Sequence, residues 1–349
     1  MRGFIFIEKN SLLYYYLSIF NFKDFIMDKT LLTGVKPTGN PHIGNLFGAI
    51  LPMINLINEN EGKSFVFIAN IHALNGVKDK EFLGLKTYEL ASTYLTFGID
   101  PERTIFYKQS DVPEIFELST ILMNYTPKGL MNRAHAYKAM LDKDGNDDNV
   151  NMGLYTYPIL MASDIIAMNA DIVPVGIDQK QHIEIARDIA NSFNVLHKSN
   201  VLKLPKEFIQ TTDSILGLDG RKMSKSYNNT IELFATEEET KKKIMKIPTD
   251  SLLPSDKKSD DTTLFKIMKM FKVDEDYLSS YLNGGIGYGD AKKKLAETVN
   301  NYLKPYRQKY NEYMSDKAKL DEMLTNGAIK AREIAKETLK NVKKTLGLI

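Results

Sequence analysis

The chain has 349 residues, of which 43% are hydrophobic and 26% charged, and its formal net charge is +2. This composition is typical of a globular protein with two or three domains, and the balanced charge means that any nucleic-acid-binding surface must be local. The sequence has no cysteine, which excludes disulfides and thiolate metal sites and fits a reducing, cytoplasmic compartment. No apolar run in the sequence is long enough to span a bilayer.

Residues 1–26 differ from the rest of the chain because they are rich in aromatic side chains, including Tyr14, Tyr15 and Tyr16. A short apolar run here resembles part of a signal peptide, but polar and charged residues follow it rather than a small-residue cleavage site. Met27 stands just before the first predicted strand. We therefore predict that residues 1–26 are an extension outside the fold, arising from a misplaced start codon, with a targeting or membrane-associating segment as the alternative.

The first strand-to-helix connection carries the strongest local signal. Leu31 and Leu32 predict a strand, and two glycines and two prolines within residues 34–41 predict a sharp turn. We expect Asn40 to be the helix N-cap and Pro41 the first helical residue, because proline lacks the N–H that would be unpaired there. The helix is predicted to bury the apolar side chains that recur at helical spacing, which are Ile43, Leu46, Phe47, Ile50, Ile54 and Ile57.

His42 and Asn45 lie three residues apart on another face of the first helical turn. Free N–H groups at this helix start, together with these two side chains, predict a site for a phosphate-bearing ligand. Gly44 leaves room for a flat group such as a base. The alternative is an ordinary strand–turn–helix whose glycines serve only the turn.

The next part of the chain alternates predicted strands and helices. Residues 64–68 form a continuously apolar strand, residues 80–97 a helix ended by Gly98, and residues 104–107 another strand, followed by a helix that Pro113 opens. Helix-length connections between apolar strands predict an α/β fold with a doubly wound parallel sheet, which binds ligands at the carboxyl ends of its strands.

A candidate amino-acid pocket lies on the helix predicted over residues 153–168. Tyr157, Met161 and Asp164 share one face of it and combine an aromatic ring, a thioether and one carboxylate. The alternative is a core stripe in which Asp164 pairs with a neighbouring helix. The pocket is favoured because the next predicted strand ends with further candidates, which are Val173, Val175, Gly176, Asp178 and Gln179.

A second polar motif comprises Lys222, Met223, Ser224, Lys225 and Ser226, which we call the lysine loop. Two lysines and two small hydroxyls after a glycine-containing turn predict a mobile clamp for a polyphosphate. A basic run of this kind is otherwise solvated surface. Its presence in one chain with the helix-start motif makes the pair more specific than either motif alone.

From about residue 230 onward the patterns are helical, with no convincing strand. The last helix is predicted from about Ala328, and residues 330–344 carry six basic and two acidic side chains. This surface is either solvated or, in a protein that handles nucleic acid, available to phosphates.

Together the two polar motifs resemble the signatures of the class I aminoacyl-tRNA synthetases, which are a His-Ile-Gly-His-like motif and Lys-Met-Ser-Lys-Ser. Residues 157–164 and 171–182 are similar to the bacterial tryptophanyl-tRNA synthetases within that class, and the resemblance covers about residues 30–347. It implies a Rossmann-like catalytic domain at residues 27–229, ending in the lysine loop. It also implies a helical, anticodon-binding domain at residues 230–349, whose terminal helix packs back on the catalytic domain.

The resemblance implies an ATP-dependent tryptophan–tRNA ligase activity. L-tryptophan and ATP would form tryptophanyl-adenylate and pyrophosphate, and the amino acid would then pass to the 3′ end of tRNA(Trp). Mg²⁺ is expected to arrive on ATP, with no structural metal held by the protein. A homodimer is also implied.

Carried over residue by residue, the resemblance assigns catalysis to His42, Asn45, Lys222 and Lys225. It assigns ATP binding to Lys36, Pro37, Thr38, Gly44, Asn45, Lys138, Gly176, Ile177, Asp178, Ile215, Lys222, Met223, Ser224, Lys225 and Ser226. It assigns tryptophan binding to Tyr157, Met161, Asp164, Val173, Val175 and Gln179, with Asp164 accepting the indole N–H.

The sequence departs from the family pattern at a few of these positions. His42 stands where many relatives have threonine, Lys36 where many have glutamine, and Ile177 where glutamate is common. Asn45 replaces the final histidine of the broad class and is the ending typical of the tryptophan type. These differences concern contacts to ATP and not the reaction.

Three alternatives remain open from the sequence. A tyrosyl-tRNA synthetase shares the fold and both motifs, but Leu32 and Val35 offer no second tyrosine-type partner for a phenol near the first strand. A small-molecule nucleotidylyltransferase shares the helix start but lacks a lysine loop followed by a long helical domain. A non-catalytic paralogue would have no need for Lys222, Lys225 and Asp164 together.

Overall fold

The structure is a computed structural model that describes residues 28–134, 137–138, 150–209 and 215–349. The extension predicted at residues 1–26 lies outside the described residues. None of the helices within the described residues is both long enough and apolar enough to cross a membrane.

Within these described ranges, five parallel strands form the central sheet, in the spatial order β3–β2–β1–β4–β5. Their bounds are Leu31–Val35 for β1, Ser64–Ile68 for β2, Thr104–Lys108 for β3, Ile172–Val175 for β4 and Lys206–Ile209 for β5. Leu31 pairs with Ser64 on one side and with Ile172 on the other, so β1 is central. The strand order reverses between β1 and β4. This confirms the predicted doubly wound sheet and places its ligand crevice at the carboxyl ends of β1 and β4.

Helices cover both faces of the sheet and make up the C-terminal part of the described chain. The first helix, α1, begins as Ile43–Asn45, continues as a π-helical segment Leu46–Ile50 and ends as Leu51–Glu59. The others are α2 Asn70–Ala73, α3 Lys80–Phe97, α4 Glu114–Met123, α5 Lys128–Asn132, α6 Met152–Ala167, α7 Lys180–Leu196, α8 Glu237–Met245, α9 Thr263–Met270, α10 Glu275–Leu282, α11 Tyr288–Ser315 and α12 Lys317–Thr345.

The start of α1 differs from the prediction. The helix begins at Ile43 rather than at Pro41, and its N-cap is His42. Asn40, the predicted cap, instead accepts a hydrogen bond from Lys86 Nζ at 2.5 Å. The residues that follow β1 remain extended for longer than the sequence pattern indicates.

Among the described residues, the two largest cores lie on opposite faces of the sheet, because alternate residues of each strand point to opposite sides. One core lies under α1 and α3 and includes Ile54, Val66, Phe106, Leu264, Leu295 and Leu324. The other lies under α4, α6 and α7 and includes Phe65, Tyr107, Leu118, Ile166, Phe193 and Ala331. The first core runs across the boundary predicted at residues 229 and 230, so the C-terminal helices are packed into the same interior as the sheet.

The terminal helix α12 closes the edge of the sheet. It crosses β3 at Gly327, where an added Cβ would lie only 1.9 Å from the Phe106 carbonyl oxygen. Leu320 and Leu324 before this glycine belong to the first core, whereas Ala331 and later apolar residues belong to the second. The helix starts at Lys317, earlier than predicted, and Gly327 permits the close approach to β3 from inside the helix.

Candidate active site

The helix start beyond β1 is a reciprocal capping pair. The Asn45 N–H donates to His42 Nδ1 at 3.3 Å, and the His42 N–H donates to Asn45 Oδ1 at 3.2 Å. Because Nδ1 is an acceptor, the proton of the neutral ring is on Nε2. Burial and then the Lys225 ammonium lower the pKa of His42 to about 4, with Glu232 opposing and Lys243 adding to the shift. At neutral pH His42 is therefore an uncharged hydrogen-bond donor.

The backbone N–H groups of this helix start are occupied, so the prediction that they are free is wrong. The Ile43 N–H donates to the Ile231 carbonyl at 2.9 Å, and the Gly44 N–H donates to Met223 Sδ at 3.2 Å. A thioether sulfur is a weak acceptor, so a phosphate oxygen would displace it readily. The anion site predicted here requires Met223 to move aside.

The lysine loop is held in shape by a buried asparagine that the sequence analysis missed. Asn229, only 3% exposed, accepts from the Ser224 N–H at 2.8 Å and donates to Asp219 Oδ1 at 2.7 Å. It also donates to the Lys222 carbonyl at 3.2 Å. One side chain thus fixes both the turn before the motif and the motif itself, yet nothing in the sequence distinguishes it from the neighbouring Asn228.

The two polar motifs, which are far apart in the sequence, are in direct contact in the structure. An antiparallel bridge joins His42 to Glu232, just after the lysine loop. Met223 lies so close to the helix start that a Cβ on Gly44 would be 3.0 Å from the Met223 Cβ. The structure therefore brings the helix start and the lysine loop together at the switch point of the sheet.

Both lysines of the loop remain available to a ligand. Lys222 and Lys225 are exposed, and neither forms an ion pair with another described residue. Although much of the Lys225 side chain is exposed, its ammonium lies against Gly39, where an added Cβ would be 2.4 Å from Nζ. Partial burial and the nearby Lys86 lower the pKa of Lys225. A phosphate group would relieve the like-charge repulsion.

Most of the other residues predicted to bind ATP follow the two central strands or belong to the lysine loop. Directly after β1 come Lys36, Pro37 and Thr38, and directly after β4 come Gly176, Ile177 and Asp178. The Ile215 carbonyl accepts a hydrogen bond from the Met223 N–H at 2.8 Å. Ser226 lies in the short 3₁₀ turn of the lysine loop. Ile177 is 69% exposed, so its apolar side chain is open to a flat ligand. Lys138 is exposed, but no contact among the described residues ties it to this site.

Asp164 is fully buried and is held by protein donors. Its Oδ2 accepts from His72 Nε2 at 2.9 Å, and both of its oxygens accept from Gln109 Nε2 at 2.9 Å. Burial raises the pKa of Asp164, while the bonds from His72 and Gln109 act in the opposite direction. Asp164 therefore pairs with side chains of neighbouring elements, which agrees with the alternative to the pocket given above. Its role as the acceptor of an indole N–H stays a prediction.

His72 and Gln109 are further site residues that the sequence analysis did not identify. His72 lies in α2, the short helix that follows the carboxyl end of β2, and Gln109 directly follows the carboxyl end of β3. The Gln109 Oε1 accepts from the backbone N–H groups of Ile71 and His72, both at 3.2 Å. Gln109 therefore orients the short helix that carries His72 and also contacts Asp164.

The other residues predicted to bind tryptophan surround this carboxylate only in part. Tyr157 lies edge-on to His72, with 6.2 Å between ring centroids, and its hydroxyl contacts His182 Nε2. Met161 is half-buried on the same helix, and Val173 and Val175 lie in β4. The Gln179 amide donates to Asp178 Oδ2 at 2.6 Å rather than to Asp164.

The basic face predicted on the terminal helix is partly neutralised. Arg332 pairs with Glu114 at 2.9 Å, and Lys343 pairs with Glu117 at 2.8 Å, both across to α4. Because these two side chains fasten α12 to α4, they are weaker candidates for phosphate contacts than the sequence indicates.

Within the described ranges, no group of three His, Asp or Glu side chains is placed to hold a metal ion. His42, Asn45, Lys222 and Lys225 lie at the helix start and in the lysine loop, and each carries a hydrogen-bond donor or a positive charge that suits anionic oxygens.

Comparison with known proteins gives a consistent result across sequence and structure. The family of class I tRNA synthetases for tryptophan and tyrosine matches residues 27–304. A tryptophan–tRNA ligase from Neisseria meningitidis is 45% identical over 331 residues, covering 92% of this chain and 98% of that protein. A tryptophan–tRNA ligase from Campylobacter jejuni is 43% identical over 324 residues, covering 91% and 99%.

Solved structures show the same likeness in three dimensions. The tryptophanyl-tRNA synthetase of Campylobacter jejuni, crystallised with ADP and tryptophan, has a TM-score of 0.85 and 42% identity, and the match covers 91% of this chain and 99% of that chain. The tyrosyl-tRNA synthetase of Aeropyrum pernix has a TM-score of 0.60 at 21% identity, which shows a shared fold alone.

Proposed function

The chain belongs to the class I tRNA synthetases for tryptophan and tyrosine, and we propose that it is a tryptophan–tRNA ligase. The observation that carries this function is the contact between Met223 and Gly44, which places the lysine loop over the helix start at the ligand edge of the sheet. The high identity to bacterial tryptophan–tRNA ligases over nearly their whole length favours tryptophan over tyrosine.

The reaction has two displacement steps. In the first, a carboxylate oxygen of tryptophan attacks the α-phosphorus of ATP, the bond to the β-phosphate oxygen breaks, and pyrophosphate leaves. In the second, a hydroxyl of the terminal ribose of tRNA(Trp) attacks the carbonyl of the adenylate, and AMP leaves. No side chain becomes a covalent nucleophile, so catalysis rests on positioning and on stabilising phosphate charge.

Each polar group has a role that suits its state in the structure. The neutral His42 donates from Nε2 to the α-phosphate region, and the Asn45 Nδ2 can donate because its Oδ1 is used by the His42 N–H. Lys222 and Lys225 follow the departing pyrophosphate, so their contacts strengthen in the transition state.

The remaining residues bind the nucleoside and the amino acid. Residues 36–38 after β1, residues 176–178 after β4 and Ile215 border ATP. Asp164, oriented by His72 and Gln109, accepts the indole N–H. Tyr157, Met161, Val173, Val175 and Gln179 form the surroundings of the ring, and Lys138 is a further phosphate-facing lysine.

Three features of the assembly complete the proposal. Mg²⁺ is carried on the ATP phosphates rather than held by the protein, which fits a site built from lysines and a histidine. The chain divides functionally into a catalytic part at residues 27–229 and a tRNA anticodon-binding part at residues 230–349. The enzyme works as a homodimer in the cytoplasm.

ATP–pyrophosphate exchange measured with each amino acid in turn tests this function. We expect exchange with tryptophan and no comparable exchange with tyrosine or phenylalanine, followed by charging of tRNA(Trp). Exchange that depends on tyrosine would assign the chain to the sister enzyme. If none of the amino acids supports exchange, the proposal is refuted.

A further inference from the structure

Lys86 on α3 is a buried lysine beside the proposed ATP site, and no sequence motif indicated it. The residue is only 8% exposed. Its Nζ donates to Asn40 Oδ1 at 2.5 Å and to Glu89 Oε2 at 2.6 Å. A buried ammonium is unfavourable unless charge and hydrogen bonds compensate for its lost hydration, and these two partners provide both.

The same cluster borders Lys225 of the lysine loop. Asn40 is adjacent to Gly39, against which the Lys225 ammonium lies. The charges that act on that ammonium are Lys86, which repels it, and the carboxylates of Glu89 and Glu232, which attract it. Lys225 therefore lies near the Lys86–Glu89 ion pair, whose two charges act on it in opposite directions.

Both carboxylates near Lys225 are already paired with other lysines. Glu89 is paired with Lys86 at 2.6 Å, and Glu232 is paired with Lys243. Lys225 forms no ion pair with a described residue, although two carboxylates are close enough for their charges to act on it. Each of those carboxylates already has another lysine as its partner.

On the basis of the proposed ATP-dependent activity, we propose that Lys86 is a positioning residue: it neutralises Glu89 and fixes Asn40, so that the Lys225 ammonium stays available to the triphosphate. Without Lys86, an unpaired and half-buried Glu89 attracts Lys225, since attraction between opposite charges is strong where water is scarce. Lys225 would then be held away from the phosphates. Because its contacts are with the departing pyrophosphate, the loss falls on kcat rather than on the KM for tryptophan.

The test compares Lys86→Met, Lys86→Arg, Glu89→Gln and the double variant Lys86→Met/Glu89→Gln in tryptophan-dependent ATP–pyrophosphate exchange. We expect Lys86→Met to lower kcat roughly 10- to 100-fold, less than the ~10²–10³ lost with a direct transition-state donor. The KM for tryptophan should stay within about twofold. Removing the carboxylate as well should restore most of the lost rate, and Lys86→Arg should retain it. Lys80→Met, an exposed lysine on the same helix without an ion pair in the described chain, is the matched control and should behave as the unmodified protein.

Rescue by the second substitution separates this role from a structural one. If the double variant is as slow as Lys86→Met, Lys86 does not act by masking Glu89 and the proposal is overturned. An unchanged kcat in Lys86→Met also overturns it. Titration of free tryptophan by its fluorescence shows that the slow variant is folded. If none of the amino acids supports pyrophosphate exchange by the unmodified protein, it is the proposed function that fails.

Discussion

Replacing Asp164 with alanine removes the carboxylate that accepts from both His72 and Gln109. Asp164 is fully buried, and each stranded donor costs roughly 1–3 kcal/mol, so the free energy of unfolding should fall by about 2–6 kcal/mol. The same carboxylate is the proposed acceptor for the indole N–H. Tryptophan should lose a charge-assisted bond of about 1.5–3 kcal/mol, which is roughly a 10- to 150-fold loss of affinity.

Free tryptophan fluorescence measures that affinity directly, because the chain contains no tryptophan. Pyrophosphate exchange with tryptophan and phenylalanine gives the selectivity, which should fall because phenylalanine never made the bond. Asp164→Asn keeps the side-chain shape and one acceptor oxygen, so it serves as the folded variant if Asp164→Ala does not fold. Asp188→Ala, an exposed aspartate on α7, is the control and should change stability by no more than about 0.5 kcal/mol. Unchanged selectivity in a folded Asp164 variant would refute the role of this carboxylate.

Three further predictions test the catalytic clamp, the terminal helix and the helix start. Lys225→Ala should lower kcat far more than it raises the KM for tryptophan in pyrophosphate exchange; a change in KM alone would contradict a transition-state role. Gly327→Ala should destabilise the protein by at least about 1–3 kcal/mol in urea unfolding, because its Cβ would lie 1.9 Å from the Phe106 carbonyl oxygen, whereas Gly289→Ala has open space and should not destabilise it. His42 has a folded-state pKa of about 4 against an ordinary 6.5, so its contribution to stability is present above pH 6.5 and is lost as the pH falls towards 4. Urea unfolding across that range should be less pH-dependent for His42→Gln, and an identical slope would contradict the shift.

The parts of the fold that the sequence predicted are those set by local periodicity. The continuously apolar β2 and the helix that ends at Gly98 stand where the pattern placed them. Strand β5 was missed, because Lys206 and Glu207 occupy half of this edge strand and break its apolar pattern. The start of the terminal helix was placed too late, because the need for Gly327 inside it arises from contact with a strand distant in sequence.

Within the candidate site, residue types were easier to predict than contacts. The lysine loop and the helix start are recognisable from their own residues, and the structure brings them together. Two contacts depend on the approach of segments that are distant in the sequence. One is the hydrogen bond from the Gly44 N–H to Met223, and the other is the binding of Asp164 by His72 and Gln109. Such pairings leave no local pattern, so single-sequence reasoning had no signal for them.

A crystal structure of the protein with L-tryptophan and a non-hydrolysable ATP analogue would show whether the helix start and the lysine loop bind one triphosphate beside the indole ring. We expect one triphosphate lying between His42 and Lys225, with Met223 displaced from the Gly44 N–H and the indole nitrogen within hydrogen-bonding distance of Asp164. A nucleotide bound elsewhere, or an indole ring that does not contact Asp164, would contradict it.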